Sequence, residues 1–225
     1  MGREKMEGSS VLLYEDSLVS LSNSIDQIVG FEGWNIRAGS LKERSGGVKF
    51  YGRKFKEHYK NQFSKEIENQ DVISYFDTMS LLKRLSECLD ESVKDVAIFM
   101  EFSIPYAHQK RIDFLLSFKN TIIILEFSYI NEELKGLDNV TYMTKYHEKL
   151  VQAMQYQTLL QNMLNEKIKT IPFVVLYHPE YLDKNTEDPR AIKQNNDEIR
   201  KLADLINFQY SKEKTASEEL LNLLK

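Results

Sequence analysis

The apolar positions of the chain follow two periods, one suited to strands and one to helices, and their order sketches an α/β protein. The strand signal is strongest at residues 111–128, where two β-rich apolar runs flank Lys119-Asn120. A two-residue loop containing Asn predicts a hairpin, because Asn tolerates the left-handed backbone that such turns require. With Phe118 opposite Thr121, counting outwards puts Leu116 opposite Ile123, Asp113 opposite Glu126 and Arg111 opposite Ser128. Side chains alternate across a strand, so Arg111, Asp113 and Leu115 share a face with Ile124, Glu126 and Ser128. Ile112, Phe114, Leu116, Ile123, Leu125 and Phe127 fall on the other face, which reads as core.

Helical periods lie on both sides of this hairpin. Val72, Phe76, Met79, Leu82, Leu85 and Leu89 recur at helical steps and predict a helix over 72–89, with Asp71 as its N-cap. Residues 96–104 read as a strand ending at Pro105, with Glu101 and Ser103 on the face opposite Met100 and Phe102. A long helix is predicted over 140–164, carrying Met143, Leu150, Ala153, Met154, Leu160 and Leu164 on one side. Lys145, Lys149, Gln152 and Tyr156 form an adjacent row on that helix. Residues 172–177 make a continuous apolar strand of the kind buried on both faces of a parallel layer. Helix, strand, hairpin, helix and strand in that order imply an α/β sandwich with a mixed sheet.

The flanks are less regular. Residues 1–10 read as a frayed end, 11–28 as short helical pieces, and the glycines from Gly30 to Gly47 as a loop-rich stretch before a short helix at 55–63. Residues 183–197 read as an exposed loop, followed by a helix at about 198–210 and another opening with the capping-box pattern Thr215-Ala-Ser-Glu218. Three regions result: an N-terminal helical and loop segment (1–70), a core (71–182), and an exposed loop with C-terminal helices (183–225). The apolar run at 220–224 has little to pack on unless a partner or the domain itself covers it.

Composition narrows the function classes. A chain of 225 residues can bury a substantial core without staples. The single Cys88 excludes an internal disulfide, and neither an apolar leader nor a bilayer-spanning run is read, so a reducing, cytoplasmic setting without membrane attachment is expected. A net charge of −4 argues against a strongly basic, sequence-indifferent nucleic-acid coat. One basic stretch does stand out, Lys42, Arg44, Lys49, Arg53, Lys54, Lys56 and Lys60 interleaved with Phe50, Tyr51, Phe55 and Tyr59. It is either a local basic cleft or a solvated helix face.

The opposed acids carry the candidate chemistry. Asp113 and Glu126 at the end of an apolar ribbon repel each other unless a cation, a proton or a basic neighbour compensates them. Two readings are open: a divalent metal such as Mg²⁺ or Mn²⁺ held between the carboxylates, or a local ion pair in which Arg111 neutralises both acids. Glu101 and Glu87 are candidates for a further acid, while His58, His108, His147 and His178 lack metal-ligand spacing.

Pro105, the Arg111-Ile-Asp113 strand, the apolar strand ending in Glu126-Phe-Ser128 and the helix bearing Gln152 and Tyr156 together resemble the PD-(D/E)xK nuclease superfamily. The similarity runs from about Ser74 to Pro179 and is nearest to the RecB-type branch and to the nuclease-like region of Schlafen-related bacterial NTPase proteins. It implies a restriction-endonuclease-like mixed sheet flanked by helices, with N- and C-terminal helical additions. It also implies that Asp113 and Glu126 bind the metal and that Gln152 and Tyr156 stand beside the active site. The family places a lysine two residues after the glutamate, where this chain has Ser128. That lysine stabilises charge on the scissile phosphate, which a neutral hydroxyl cannot do. Either Lys149 or, in reserve, Lys145 supplies the cation from the long helix, or Arg111 supplies it from across Ser128, or the site is inactive.

Three functions follow as expectations. The first is a metal-dependent nuclease acting on nucleic acid, DNA being favoured. The second is a catalytically inactive pseudonuclease serving as a binding or scaffold subunit, for example in an anti-phage defence or DNA-processing complex. No G-x-x-x-x-G-K-[ST] motif occurs, so an NTPase partner would be a separate chain. The third is a structural ion pair with no metal site.

Overall fold

The protein is seen here as a computed structural model that describes residues 12–29, 41–105, 110–130, 139–177, 188–193, 196–210 and 214–225. Among the described residues six strands form one sheet in chain order: β1 (Tyr14–Ser17), β2 (Ala97–Ser103), β3 (Arg111–Phe118), β4 (Thr121–Tyr129), β5 (Lys169–Tyr177) and β6 (Ala191–Lys193). The first four run antiparallel to their neighbours, whereas β5 is parallel to β4 and β6 to β5. Parallel neighbours cannot be joined by a tight turn. Helix α4 (Asn139–Met163) accordingly lies between β4 and β5 in the chain. The mixed α/β sheet is as expected, and the predicted hairpin is its central pair, β3 and β4.

Helices cover both faces. On one lie α1 (Leu18–Val29), α2 (Leu41–Phe63), α3 (Asn69–Cys88) and α5 (Asn196–Gln209), sharing a core that includes Leu18, Phe55, Phe76, Leu82 and Ile206 with Phe114, Leu116, Ile123 and Leu125 of the hairpin. On the other lie α4 and α6 (Thr215–Leu223), which enclose Leu115, Ile122 and Ile124 together with Ala153, Leu160, Ala216 and Leu220. The amino-terminal half of α4 packs Tyr142, Tyr146 and Leu150 against Val174 and Leu176 of β5.

Several details differ from the sequence pattern for identifiable reasons. The positive φ of the hairpin turn falls on Lys119 (50°), not on Asn120, whose side-chain amide instead donates to the carbonyl of Lys167 at 3.1 Å. The N-cap of α3 is Glu68, with Asp71 in the first turn, and Lys214 rather than Thr215 caps α6. Residues 191–193 are not exposed loop: they form β6, a buried strand completing the parallel edge. The residues from 41 onward continue as helix through Gly46, Gly47 and Gly52 into the predicted short helix, giving α2. Met154 is 43% exposed, because α4 turns Tyr146, Leu150, Ala153 and Tyr156 towards the sheet. The expected frayed end at residues 1–10 lies outside the described residues.

The C-terminal apolar run is covered by the domain itself. Leu220 is fully buried, Leu221, Leu223 and Leu224 pack against the same core, and the Ser217 and Ser117 hydroxyls are hydrogen bonded at 3.1 Å. The Ala216 amide donates to the carbonyl of Lys119, which fixes α6 to the hairpin turn.

Candidate active site

The site forms where the central hairpin opens. Backbone pairing between β3 and β4 runs from Phe118 opposite Thr121 to Phe114 opposite Leu125. Beyond that point side chains take over the donors: the Asp113 amide donates to Glu126 Oε1 at 3.3 Å, and the Phe127 amide donates to Asp113 Oδ2 at 3.1 Å. Each acid thus reaches across to the partner strand, and the predicted opposition of Asp113 and Glu126 holds. Buried amides need acceptors, so this exchange also satisfies backbone that the ladder has released.

The neighbouring strand contributes a local distortion. Glu101 of β2 has φ of +56°, a left-handed conformation that costs a non-glycine residue energy. Pairing passes from Met100 opposite Phe114 to Phe102 opposite Ile112, so Glu101 and Asp113 stand at the same step. Both strands change faces there. Met100 and Phe114 join the α3-side core, whereas Phe102 and Ile112 join the α4-side core, contrary to strict alternation.

This step separates the two cations expected near the acids. Arg111 is paired with Glu101 rather than set between Asp113 and Glu126, although its charge still lowers Asp113; its guanidinium lies 3.1 Å from Glu101 Oε2, donates to the Tyr59 hydroxyl at 3.1 Å, and sits 4.8 Å from the centre of the Phe63 ring. The Tyr75 hydroxyl donates to Glu101 Oε1 at 2.5 Å. Lys149 of α4 is the cation that meets the acid pair, its Nζ donating to Glu126 Oε2 at 3.2 Å. Lys145 lies half-buried one turn earlier. One turn beyond Lys149, the Gln152 amide donates to the Tyr156 hydroxyl at 2.9 Å, and Tyr156 lines the cleft above Asp113.

Glu126 is fully buried, and burial together with the Asp113 charge pushes its carboxyl up to about 8. Burial raises Asp113 as well, against the pull of Lys149 and of the Phe127 amide. Near neutral pH the pair therefore retains a proton. Burial opposes the charge on Lys149, but Asp113 and Glu126 outweigh it and hold the ammonium above the usual lysine range. Burial likewise raises Glu101, with Tyr75 and Arg111 limiting the shift.

A cleft of about 610 Å³ opens over this arrangement, with Asp113, Glu101 and Arg111 among its lining residues and Tyr59, Tyr75, Tyr129 and Tyr156 among its walls. Glu87 is exposed on α3 and outside the cleft lining, and His108 lies outside the described residues. Tyr75 was not marked by the sequence, since it sits between the core positions Val72 and Phe76 with no motif around it.

Asp113 and Glu126 bring two carboxylates together, and carboxylate oxygen is the donor type that hard divalent cations take. Among the described residues no group of three or more His, Cys, Asp and Glu is placed to hold a metal. Mg²⁺, however, is commonly held by one or two carboxylates with water and substrate phosphate completing its shell. Two crowded carboxylates that retain a proton near neutrality are a site where a divalent cation can replace that proton. Among the described residues no helix is long and apolar enough to cross a membrane. Comparison with protein-family models, curated proteins and solved structures yields no match.

Proposed function

We propose that the chain is a metal-dependent nucleic-acid phosphodiesterase of the PD-(D/E)xK kind, in which Lys149 takes the role that Ser128 leaves open. The observation carrying this reading is the Lys149 ammonium, 3.2 Å from Glu126 Oε2 and on the α4 side of the opened hairpin. Asp113 and Glu126 would hold Mg²⁺ or Mn²⁺, which supplies a water of lowered pKa and neutralises phosphate charge. Lys149 is positioned to stabilise negative charge developing on the phosphoryl oxygens, and low exposure strengthens that interaction. Gln152 fixes the Tyr156 hydroxyl at the cleft wall. Arg111, held by Glu101 and Tyr59, lines the cleft together with Lys110 and Asp113, whereas Glu126 and Lys149 lie behind Asp113 and are not among the lining residues.

A second reading is a pseudonuclease that keeps the fold as a binding subunit. It is favoured by Ser128 and by the saturation of Glu126, which already accepts from Lys149 and from the Asp113 amide. The two are separated by incubating the protein with plasmid, linear duplex, single-stranded DNA and RNA in Mg²⁺ and in Mn²⁺, beside Asp113→Ala. Cleavage that disappears in the variant supports the enzyme, and cleavage that persists in it comes from a contaminant.

A further inference from the structure

Helix α2 differs in charge from the rest of the molecule. It holds seven Lys and Arg against two Glu, a surplus of five positive charges, in a chain whose net charge is −4. Arg53, Lys56 and Lys60 of this helix line a recess of about 370 Å³ that shares Glu66 and Ile67 with the main cleft, so the two recesses adjoin. Tyr59 lies on the same helix and borders the cleft as a buried side chain, its ring packed 4.8 Å from Phe63 and 6.2 Å from Tyr75 and its hydroxyl accepting from Arg111. A basic, solvent-facing track therefore adjoins an aromatic-walled pocket lined by Asp113 and Glu101.

The dimensions and chemistry select the occupant. A volume of about 610 Å³ falls in the usual range of roughly 300–1,000 Å³ for small-molecule sites and gives room for a nucleotide or two inside the cleft. Basic grooves beside aromatic rings bind unpaired strands, with phosphates on the cations and bases on the rings. The acids already on the track do not block it: Arg53–Glu57 and Lys60–Glu66 are exposed pairs, with side chains 84% and 62%, and 60% and 82%, accessible. Such pairs are weak and exchange a carboxylate for a phosphate readily.

We infer that the α2 face and the cleft form a binding track for single-stranded nucleic acid, phosphates running along Arg53, Lys56 and Lys60 and unpaired bases entering beside Tyr59 and Tyr75. The inference rests on the phosphodiesterase reading of the adjoining carboxylates and names the strand state of its substrate.

The test is fluorescence anisotropy of the full chain in chelator, so that nothing is cut, with labelled single-stranded DNA, single-stranded RNA and a blunt duplex of equal length. Single strands of either sugar should bind about tenfold or more tighter than the duplex. The double substitution Arg53→Glu and Lys60→Glu should weaken single-strand binding by about tenfold or more and make its salt slope shallower by roughly 1.4, about 0.7 for each phosphate no longer neutralised. Both side chains are exposed, so the melting temperature should not change. Equal or tighter duplex binding, or a double variant that binds like the parent, overturns the inference. Binding that depends on α2 in a protein that cuts nothing would leave the track standing and remove the phosphodiesterase reading. Asp113-dependent cleavage with binding indifferent to α2 would do the reverse.

Discussion

Lys149 on α4 and Glu126 on β4 are joined by a 3.2 Å ion pair in which the carboxylate is fully buried and the lysine side chain is 28% accessible. Glu126 also accepts the Asp113 amide, so the ammonium, both acids and the opened ends of β3 and β4 form one unit. A buried acid pair without a cation would be costly, and a buried lysine without acids would lose its proton. Each accounts for the charge of the other.

The proton held by the acid pair makes stability depend on pH. Glu126 titrates near 8 in the folded protein because of burial and Asp113, against about 4.3 for an unperturbed glutamate. Between those values the folded state binds more protons than the unfolded state, so stability falls as pH rises through the window. Melting temperature should decline from about pH 5 to about pH 8 more steeply in the parent than in Glu126→Gln. Parallel profiles would contradict the assignment.

Metal binding should release that proton. Calorimetric titration with Mn²⁺ at neutral pH, repeated in buffers of different ionisation enthalpy, should show close to one proton released per ion, decreasing to none at alkaline pH. Asp113→Asn should abolish the binding heat. Unchanged heat in that variant would place the metal elsewhere.

The Tyr75 hydroxyl is a structural donor to a strained, buried acid. Tyr75→Phe leaves the Arg111 pair but removes the 2.5 Å hydrogen bond to Glu101. The loss should cost about 1.5–3 kcal/mol in urea unfolding, the range for a hydrogen bond to a charged group. A change below about 0.5 kcal/mol would mean that water replaces the phenol.

Leu220→Ala tests α6 as part of the domain. Leu220 is fully buried in the core that α6 shares with α4 and the sheet, and truncating such a residue typically costs about 2–5 kcal/mol. A neutral result would return this run to the role of an exposed docking segment.

The hairpin and its register were legible because its two apolar halves flank a short turn and because alternation leaves a core face on each side. The acid pair followed from that register. The face change at Glu101 was not legible, since the acid interrupting the apolar run fits simple alternation and no glycine or proline marks the positive φ. Strands β1 and β6 were missed because they are edge strands of four and three residues, too short for periodicity to appear. The long row on α4 announced Lys149 by spacing alone, but its pairing with Glu126, rather than that of Arg111, depends on which way β3 turns at Asp113. Arg111 was drawn away by Glu101 of the adjacent strand β2 and by Tyr59 and Phe63 of α2, the last two distant from it in the chain.

The claim that Lys149 stands in for the missing lysine is tested most directly by single-turnover cleavage rates of the parent, Lys149→Ala, and Lys149→Ala combined with Ser128→Lys. Removing a preorganised charge of this kind should lower the rate by about 10²-fold or more, with Mn²⁺ binding nearly intact, and the second substitution should restore part of it. A Lys149→Ala protein that cleaves at the parent rate, or a parent that cleaves no substrate in either metal, would contradict the account.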